Sequence, residues 1–411
     1  MKNKVVVGLS GGVDSSVAAY LLKEEGYEVI ALFMINWHDT TGTLSGVCPW
    51  EEDRIMASLV AKKLDIPFHA IDLSEPYRKR VVEYMFAEYE KGRTPNPDVL
   101  CNREIKFDLF VEEAYKLNAD YIATGHYCRR NEIEINGNIY SRLLTGVDSN
   151  KDQSYFLCQL SQKQLSNALF PIGNLLKPDV RKIAEDVGLA TAKRKDSQGV
   201  CFVGKIDLPV FLQQKIKSKK GMIIEISKSF NGYNNLEGYG SNAKLKTLSM
   251  PYVYSPEDGT IVGMHNGAHF YTIGQRKGIN VGGKAQPLFV IATDIENNIV
   301  YTGQGEDHPG LNRKYLFIET NDIHWVRNDK KLNAGDKMQY FVRIRYRQPL
   351  QKAFLHCYEE GIYIEFENFQ KGISPGQFAV WYDGDELAGS GAISSYTGYS
   401  VVNNKNKIYT D

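Results

Sequence analysis

The sequence predicts an α/β protein: a doubly wound, mostly parallel sheet, then a small central domain, then a C-terminal antiparallel β barrel. Three observations point there. Strand-like and helix-like runs alternate through the first half of the chain. Small, turn-forming residues close the carboxyl ends of those strands. From about Pro287 onward short strands with tight-turn signals take over.

Each element follows from local pattern. KVVVGL reads as a buried strand, and SSVAAYLLKEE (15–25) as a helix closed by Gly26. EVIALFM is the next strand, and 52–64 a helix ended by Asp65 and Pro67. FHAIDL makes a third strand, followed by a helix over 75–91. After a Pro-rich turn, 107–118 is helical and DYIATGH is the fourth strand. Ligands of such sheets bind beyond the carboxyl ends of the strands. The loop after the first strand, Met34, and Thr124 with Gly125 and His126 all fall there.

The stretch SKSFNGYNNLEGYGSNAKLKTLSM is rich in Asn, Gly, Ser and Lys without a helical period, and predicts a surface excursion, here bounded at 217–258. PLFVIATD, NNIVYTGQ, KMQYFVRIRYR, QKAFLHCY, GIYIEFE, QFAVWYDG and ELAGSGAI then read as the strands of the barrel. The expected domains are 1–205, 206–284 and 285–400.

Composition limits the function. The chain has 411 residues, enough for several domains, and 49 basic residues balance 49 acidic ones. A global basic field is therefore absent, and nucleic acid must be held by local patches. No signal peptide and no membrane-spanning run is expected. The six cysteines, at 48, 101, 128, 158, 201 and 357, include no C-x-x-C pair. That spacing argues against a zinc ribbon or a disulfide-stapled fold, and points to a reducing, cytoplasmic setting.

The chemistry begins at GLSGGVDSS (8–16). Consecutive small residues between strand and helix leave N–H groups free for an anion, and the helix dipole adds to the attraction. A Walker loop would carry Lys next, whereas Val13, Asp14, Ser15 and Ser16 stand here. SGGVDSS resembles the PP-loop of the N-type ATP pyrophosphatases, which cleave ATP between the α and β phosphates. The motif alone leaves GMP synthetase, argininosuccinate synthetase, tRNA lysidine synthetase and the tRNA thiolation enzymes open.

Two further segments choose among them. GRTPNPDVLCNREIKFD (92–108) and KDSQGVCFVG (195–204) resemble the paired motifs of the bacterial tRNA-specific 2-thiouridylases. TGHY, SNKDQSYFL, LKPDVRKIAEDVGL, YTIGQRKG, RIRYRQPL and SPGQFAVWY match in family order across nearly the whole chain. The resemblance implies an adenine nucleotide alpha hydrolase-like PP-loop domain and ATP-dependent thiolation of C2 of the wobble uridine, with release of AMP and pyrophosphate. It implies ATP at Gly8, Leu9, Ser10, Gly11, Gly12, Val13, Asp14, Ser15, Met34 and Gly125, with Mg²⁺ accompanying the nucleotide and no protein-only metal site. It gives Cys201 the persulfide and Cys101 the nucleophile's role; Asp98, three residues before Cys101, is placed to shuttle a proton as general acid–base work requires.

tRNA is expected at Asn96, Pro97, Asp98, His126, Lys151, Asp152, Gln153, Arg345, Tyr346 and Gln348, where charged, amide and aromatic groups can hold phosphates and an unstacked base. A cysteine desulfurase or sulfur-relay protein would supply the sulfur, and the enzyme would be a monomer. Around Cys101, Pro95, Pro97, Asp98, Asn102 and Arg103 predict an exposed loop, with Arg103 able to lower the thiol pKa. Cys158 and Cys357 read as core; Cys201, before Phe202 and Val203, would read the same without its motif. His126 suits a core histidine as well as a site, and RIRYR a solvated strand as well as an RNA grip. The rival readings are another PP-loop ligase and a catalytically silent RNA-binding module.

Overall fold

The computed structural model describes residues 3–38, 50–196, 208–233 and 241–395. Cys48 and Cys201 lie outside them. The first domain is built on a parallel sheet of β1 (Lys4–Gly8), β2 (Glu28–Ile35), β3 (Phe68–Asp72), β4 (Tyr121–Ala123) and β7 (Ala168–Leu169), ordered β3-β2-β1-β4-β7. Val5, Val6 and Val7 of β1 are wholly buried because both faces are covered. Val5 and Val7 join the core of the helices Val13–Glu24, Trp50–Lys63 and Lys177–Val187. Val6 faces the opposite core, with Tyr77, Met85, Cys101 and Phe110. The strand order reverses between β1 and β4, which opens a crevice at their carboxyl ends.

The helix expected over 107–118 begins ten residues earlier, at Pro97. It runs through Pro97–Cys101, a π-helical stretch Asn102–Leu109, and Phe110–Lys116. Proline read as a turn signal serves here as the first helical residue, behind the cap Asn96. Cys101 is accordingly not in an exposed loop: it is 0 % exposed, on a helix.

The hairpin β5 (Cys128–Ile135) and β6 (Asn138–Thr145), turned by Asn136 and Gly137 at positive φ, leaves this domain. It joins the C-terminal antiparallel sheet by pairing Leu143 and Leu144 with Leu387 and Glu386. That sheet contains β12 (Asn312–Glu319), β14 (Lys337–Arg343), β15 (Gln351–Tyr358), β16 (Gly361–Lys371), β17 (Phe378–Asp383) and β18 (Glu386–Ala392). Its order is β12-β16-β15-β14-β17-β18-β6-β5, with β13 (Ile323–Trp325) on β18. Its core holds Leu316, Leu355, Ile364 and Trp381.

The central sheet is β8 (Gly221–Ile226), β9 (Gly259–His265), β10 (Leu288–Asp294) and β11 (Ile299–Gln304), ordered β10-β11-β8-β9. Three expectations change here. PLFVIATD and NNIVYTGQ, expected in the barrel, pair with each other, and the second of them pairs with β8; alternation marks a strand without naming its sheet. The stretch from 217 is not wholly an excursion, since Ile223, Ile224 and Ile226 of β8 are buried inside the sheet. Its later part contains the helix Ser241–Ser249, which lies against β12; only Leu245 and Leu248 mark its period, so docking supplies what pattern lacks. RIRYR also breaks early, because β14 stops at Arg343 and a turn follows. Among the described residues no helix is long and apolar enough to cross a membrane.

Candidate nucleotide and thiol site

The glycine loop lies in the crevice. Leu9 N–H donates to Leu32 O at 3.1 Å, which continues the sheet into the loop. Gly11 has φ +76°, and a Cβ there would stand 2.3 Å from Asp53 O, so only glycine fits. Gly12 precedes the helix Val13–Glu24 in extended conformation and brings no side-chain cap. Ser15 Oγ lies 3.1 Å from both Ser10 N and Ser10 Oγ, bracing the loop from within. The helix start is thus left open to an anion. Gly125 presses on it from behind: a Cβ there would meet Ser15 N at 2.6 Å. Met34 is buried, its Cε beside Gly8.

The cation absent from the loop arrives from far along the chain. Lys177 Nζ lies 2.7 and 2.8 Å from the Asp14 oxygens and 2.9 Å from Asp196. It is buried at the first residue of the helix Lys177–Val187, where the dipole disfavours a cation. The two carboxylates offset that cost. Asp196 also accepts from Lys151 and Arg181, each at 2.8 Å. Burial alone would raise the Asp196 pKa, but hydrogen bonds from Lys151 and Lys177 pull it down to about 2. Tyr127 donates its hydroxyl to Asp14 at 2.7 Å; burial first, then Asp14, push its pKa up, so it remains a donor. Arg194 binds Gly11 O at 2.8 Å and Asp53 at 2.7 Å. Lys177, Asp196 and Arg194 are not among the residues the sequence singles out. Their only signal is position: Lys177 lies in LKPDVRKIAEDVGL, Asp196 in KDSQGVCFVG, and Arg194 just before the latter.

The thiol stands on the helix that starts at Pro97. Asn96 Oδ1 accepts from Val99 N–H at 3.2 Å, which fixes the first turn. Asp98 and Cys101, three residues apart, share a helix face. Asn102 ties the turn to the second half of the domain through Asp98 O at 3.0 Å and Phe156 O at 3.3 Å. Arg103, expected to tune the thiol, gives its guanidinium to Glu104 at 2.7 Å and Gln159 at 3.1 Å. Burial pushes the Cys158 thiol up to about 12 and that of Cys128 well above its usual range. Both are unreactive core. Cys357 is half-buried in β15, its thiol also raised by burial.

The residues expected to meet RNA divide into two sets. Lys151 and Tyr346 present partly open groups; Tyr346 packs on Phe156 at 4.2 Å between ring centroids, with exposed Arg347 beside it. Asn96, Pro97 and Asp98 are likewise half-buried, and the remaining five bond inward. Asp152 is buried against Arg343 at 2.5 Å and caps Gly146 and Ser154 N–H groups at 3.1 Å. Gln153 accepts from Tyr127 N–H at 2.9 Å, and Gln348 donates to Gln370 at 2.6 Å. Arg345 Nη2 donates to Ile273 O and Gly372 O at 2.8 Å and to Ser374 Oγ at 3.1 Å. His126 is buried near Phe107 and Phe170, bonded to Thr124 Oγ1 at 2.7 Å; burial holds its pKa well below the usual value, so it is neutral.

Comparison with known proteins adds the following. Three family models match in succession: a tRNA methyl transferase HUP domain over 3–205, a tRNA methyl transferase PRC-barrel domain over 248–304, and an aminomethyltransferase beta-barrel domain over 317–393. The tRNA-specific 2-thiouridylase MnmA of Flavobacterium johnsoniae is 59% identical over 393 residues, covering 95% of this chain and 100% of that protein. The protein of the same name from Christiangramia forsetii is 58% identical over the same shares. That from Streptococcus thermophilus is 43% identical, covering 95% of each chain.

Proposed function

The chain belongs to the tRNA-specific 2-thiouridylase family, and we propose that it thiolates C2 of the wobble uridine by adenylating O2 and delivering sulfur from a cysteine persulfide. It is an ATP-using tRNA-uridine 2-sulfurtransferase. Uracil O2 is a poor leaving group. Attack of O2 on the α-phosphorus of ATP expels pyrophosphate and turns O2 into part of a departing AMP. The thiolate of Cys101 attacks Sγ of the Cys201 persulfide, breaking its S–S bond and expelling hydrosulfide. Hydrosulfide adds to C2 and AMP leaves with the oxygen. A Cys101–Cys201 disulfide remains, and an external thiol reductant supplies the two electrons that reopen it. Asp98 takes the Cys101 proton.

The loop N–H groups and the Ser10 hydroxyl suit the phosphates, with Met34 and Gly125 bordering the nucleotide. Lys177 balances the negative charge in place of a Walker lysine. Mg²⁺ fits beside Asp14 only with phosphate and water oxygens completing its shell, since no cluster of three ligating side chains occurs among the described residues. It would neutralise the pyrophosphate. Lys151, Tyr346 and the turn at Asn96 and Pro97 meet the flipped uridine and its neighbours. Asp152, Gln153, His126, Arg345 and Gln348 shape that surface from behind. A cysteine desulfurase or relay protein loads the persulfide.

One observation carries the assignment. The ion-pair chain Asp14–Lys177–Asp196 joins the phosphate loop to the segment that enters Cys201 five residues later. Its test is to load each variant with donor sulfur, alkylate, and weigh the peptides. Cys201→Ser should take no sulfur. Cys101→Ser should accumulate persulfide at Cys201 with little thiolated tRNA. A persulfide on Cys101 would reverse the roles, and one on Cys48 or Cys128 would refute the assignment.

A further inference from the structure

We propose that the barrel loop around Gly376 and Gln377 positions the Asp98–Cys101 helix turn for sulfur transfer, with Gln377 as the positioning residue. The inference rests on the reading of Cys101 as the attacking thiol. The turn that leads into that helix is poor in donors of its own. Pro95 and Pro97 both lack an N–H, so neither can donate a backbone bond within the turn. The barrel binds them instead. Gln377 Nε2 donates to Thr94 O at 2.9 Å and to Pro95 O at 3.2 Å, two consecutive carbonyls just ahead of the cap Asn96. Thr94 N–H returns a bond to Pro375 O at 2.8 Å.

Gly376 makes this approach possible. It has φ +86°, and a Cβ would come within 3.1 Å of Thr94 N and of Arg93 Cβ. The loop is itself held from two sides. Gly376 N–H donates to Ile393 O, and Ile393 N–H to Gln377 O, both at 2.9 Å. Arg345 bonds Gly372 O and Ser374 Oγ while also reaching Ile273 O of the central domain. The turn before the thiol is thereby held from outside its own domain, and the barrel's part is the Gln377 amide together with Pro375 O. A thiolate attacking along an S–S axis tolerates little lateral error, so a displaced turn slows transfer while the nucleotide loop, across the sheet, is untouched.

The experiment uses the full chain with Gln377→Glu, which keeps size but replaces both donated bonds by repulsion, and Gln377→Met, which only removes them. Each is preloaded with persulfide and mixed with tRNA and ATP under single-turnover conditions. Expected is a fall of roughly 10- to 100-fold in the rate of 2-thiouridine formation. Persulfide loading and the KM for ATP should stay within about twofold, and alkylation of Cys101 should change in rate. Cys101→Ser runs in parallel. If it is inactive and both Gln377 variants transfer at the wild-type rate, the positioning role is wrong. If Cys101→Ser is fully active, the underlying thiol assignment has failed instead. A joint collapse of loading, ATP KM and transfer in both variants would mean a folding role and would also overturn the proposal.

Discussion

Gly125→Ala tests the phosphate loop with a single methyl group placed outside it. The added Cβ would stand 2.6 Å from Ser15 N, 2.7 Å from Asp14 C and 3.0 Å from Ser15 Cα, all backbone atoms. Ordinary contact begins near 3.4 Å, so the helix start must retreat by about 0.8 Å. Gly125 has no positive φ, so the strain is steric and not conformational. Overpacking of this kind costs about 1–3 kcal/mol. For a domain of this size that lowers Tm by roughly 3–10 °C. A displacement approaching 1 Å at groups that orient a reacting phosphate lowers rate by about 100-fold. The assay is tRNA-dependent AMP release from labelled ATP beside a thermal melt. Gly282→Ala, which meets nothing within 4 Å, is the control and should change neither. Wild-type AMP release and Tm in Gly125→Ala would show that the loop does not require the close approach of Gly125.

Two other expectations concern buried charge. Lys177→Met leaves Asp14 with Tyr127 and Asp196 with Lys151 and Arg181, so the fold should survive; AMP release should fall by about 10²–10³-fold, as for loss of one preorganised stabiliser, and unchanged release would remove Lys177 from the site. His126 is held neutral by burial, so its folded pKa lies below its unfolded one. The unfolded chain takes the proton first, and stability present above pH ~6.5 is lost as pH falls below it, by about 1.4 kcal/mol per pH unit. His126→Gln should flatten the fall of Tm between about pH 6.5 and 5; equal slopes in variant and wild type would contradict that.

Much of the nucleotide side was legible in the sequence because its parts are local. VVV followed by SGGVDSS specifies strand, loop and helix within one short window, and Met34 and Gly125 sit at strand ends that alternation marks. Lys177 was not legible, because its meaning depends on a contact across 163 residues and its neighbours describe an ordinary helix start. The Cys101 segment was misread for a different reason. Pro97 is both a turn former and an excellent first helical residue, and only the cap Asn96 decides between them. In RIRYR, composition cannot say which way a cation points. Arg345 turns inward to three acceptors, whereas Arg347 stays at the surface. The central sheet was hidden because β8 is six residues between polar runs, and because β10 and β11 alternate just as barrel strands do.

The stoichiometry of a single turnover tests the central claim most directly. Enzyme carrying a ³⁵S-labelled persulfide is mixed with ATP and unmodified tRNA, and AMP, pyrophosphate and labelled 2-thiouridine are counted together. The mechanism requires one of each per persulfide consumed, with the label at C2 of the wobble uridine. Thiolation without AMP, ADP in place of AMP, or a methylated nucleoside in place of a thiolated one would contradict it.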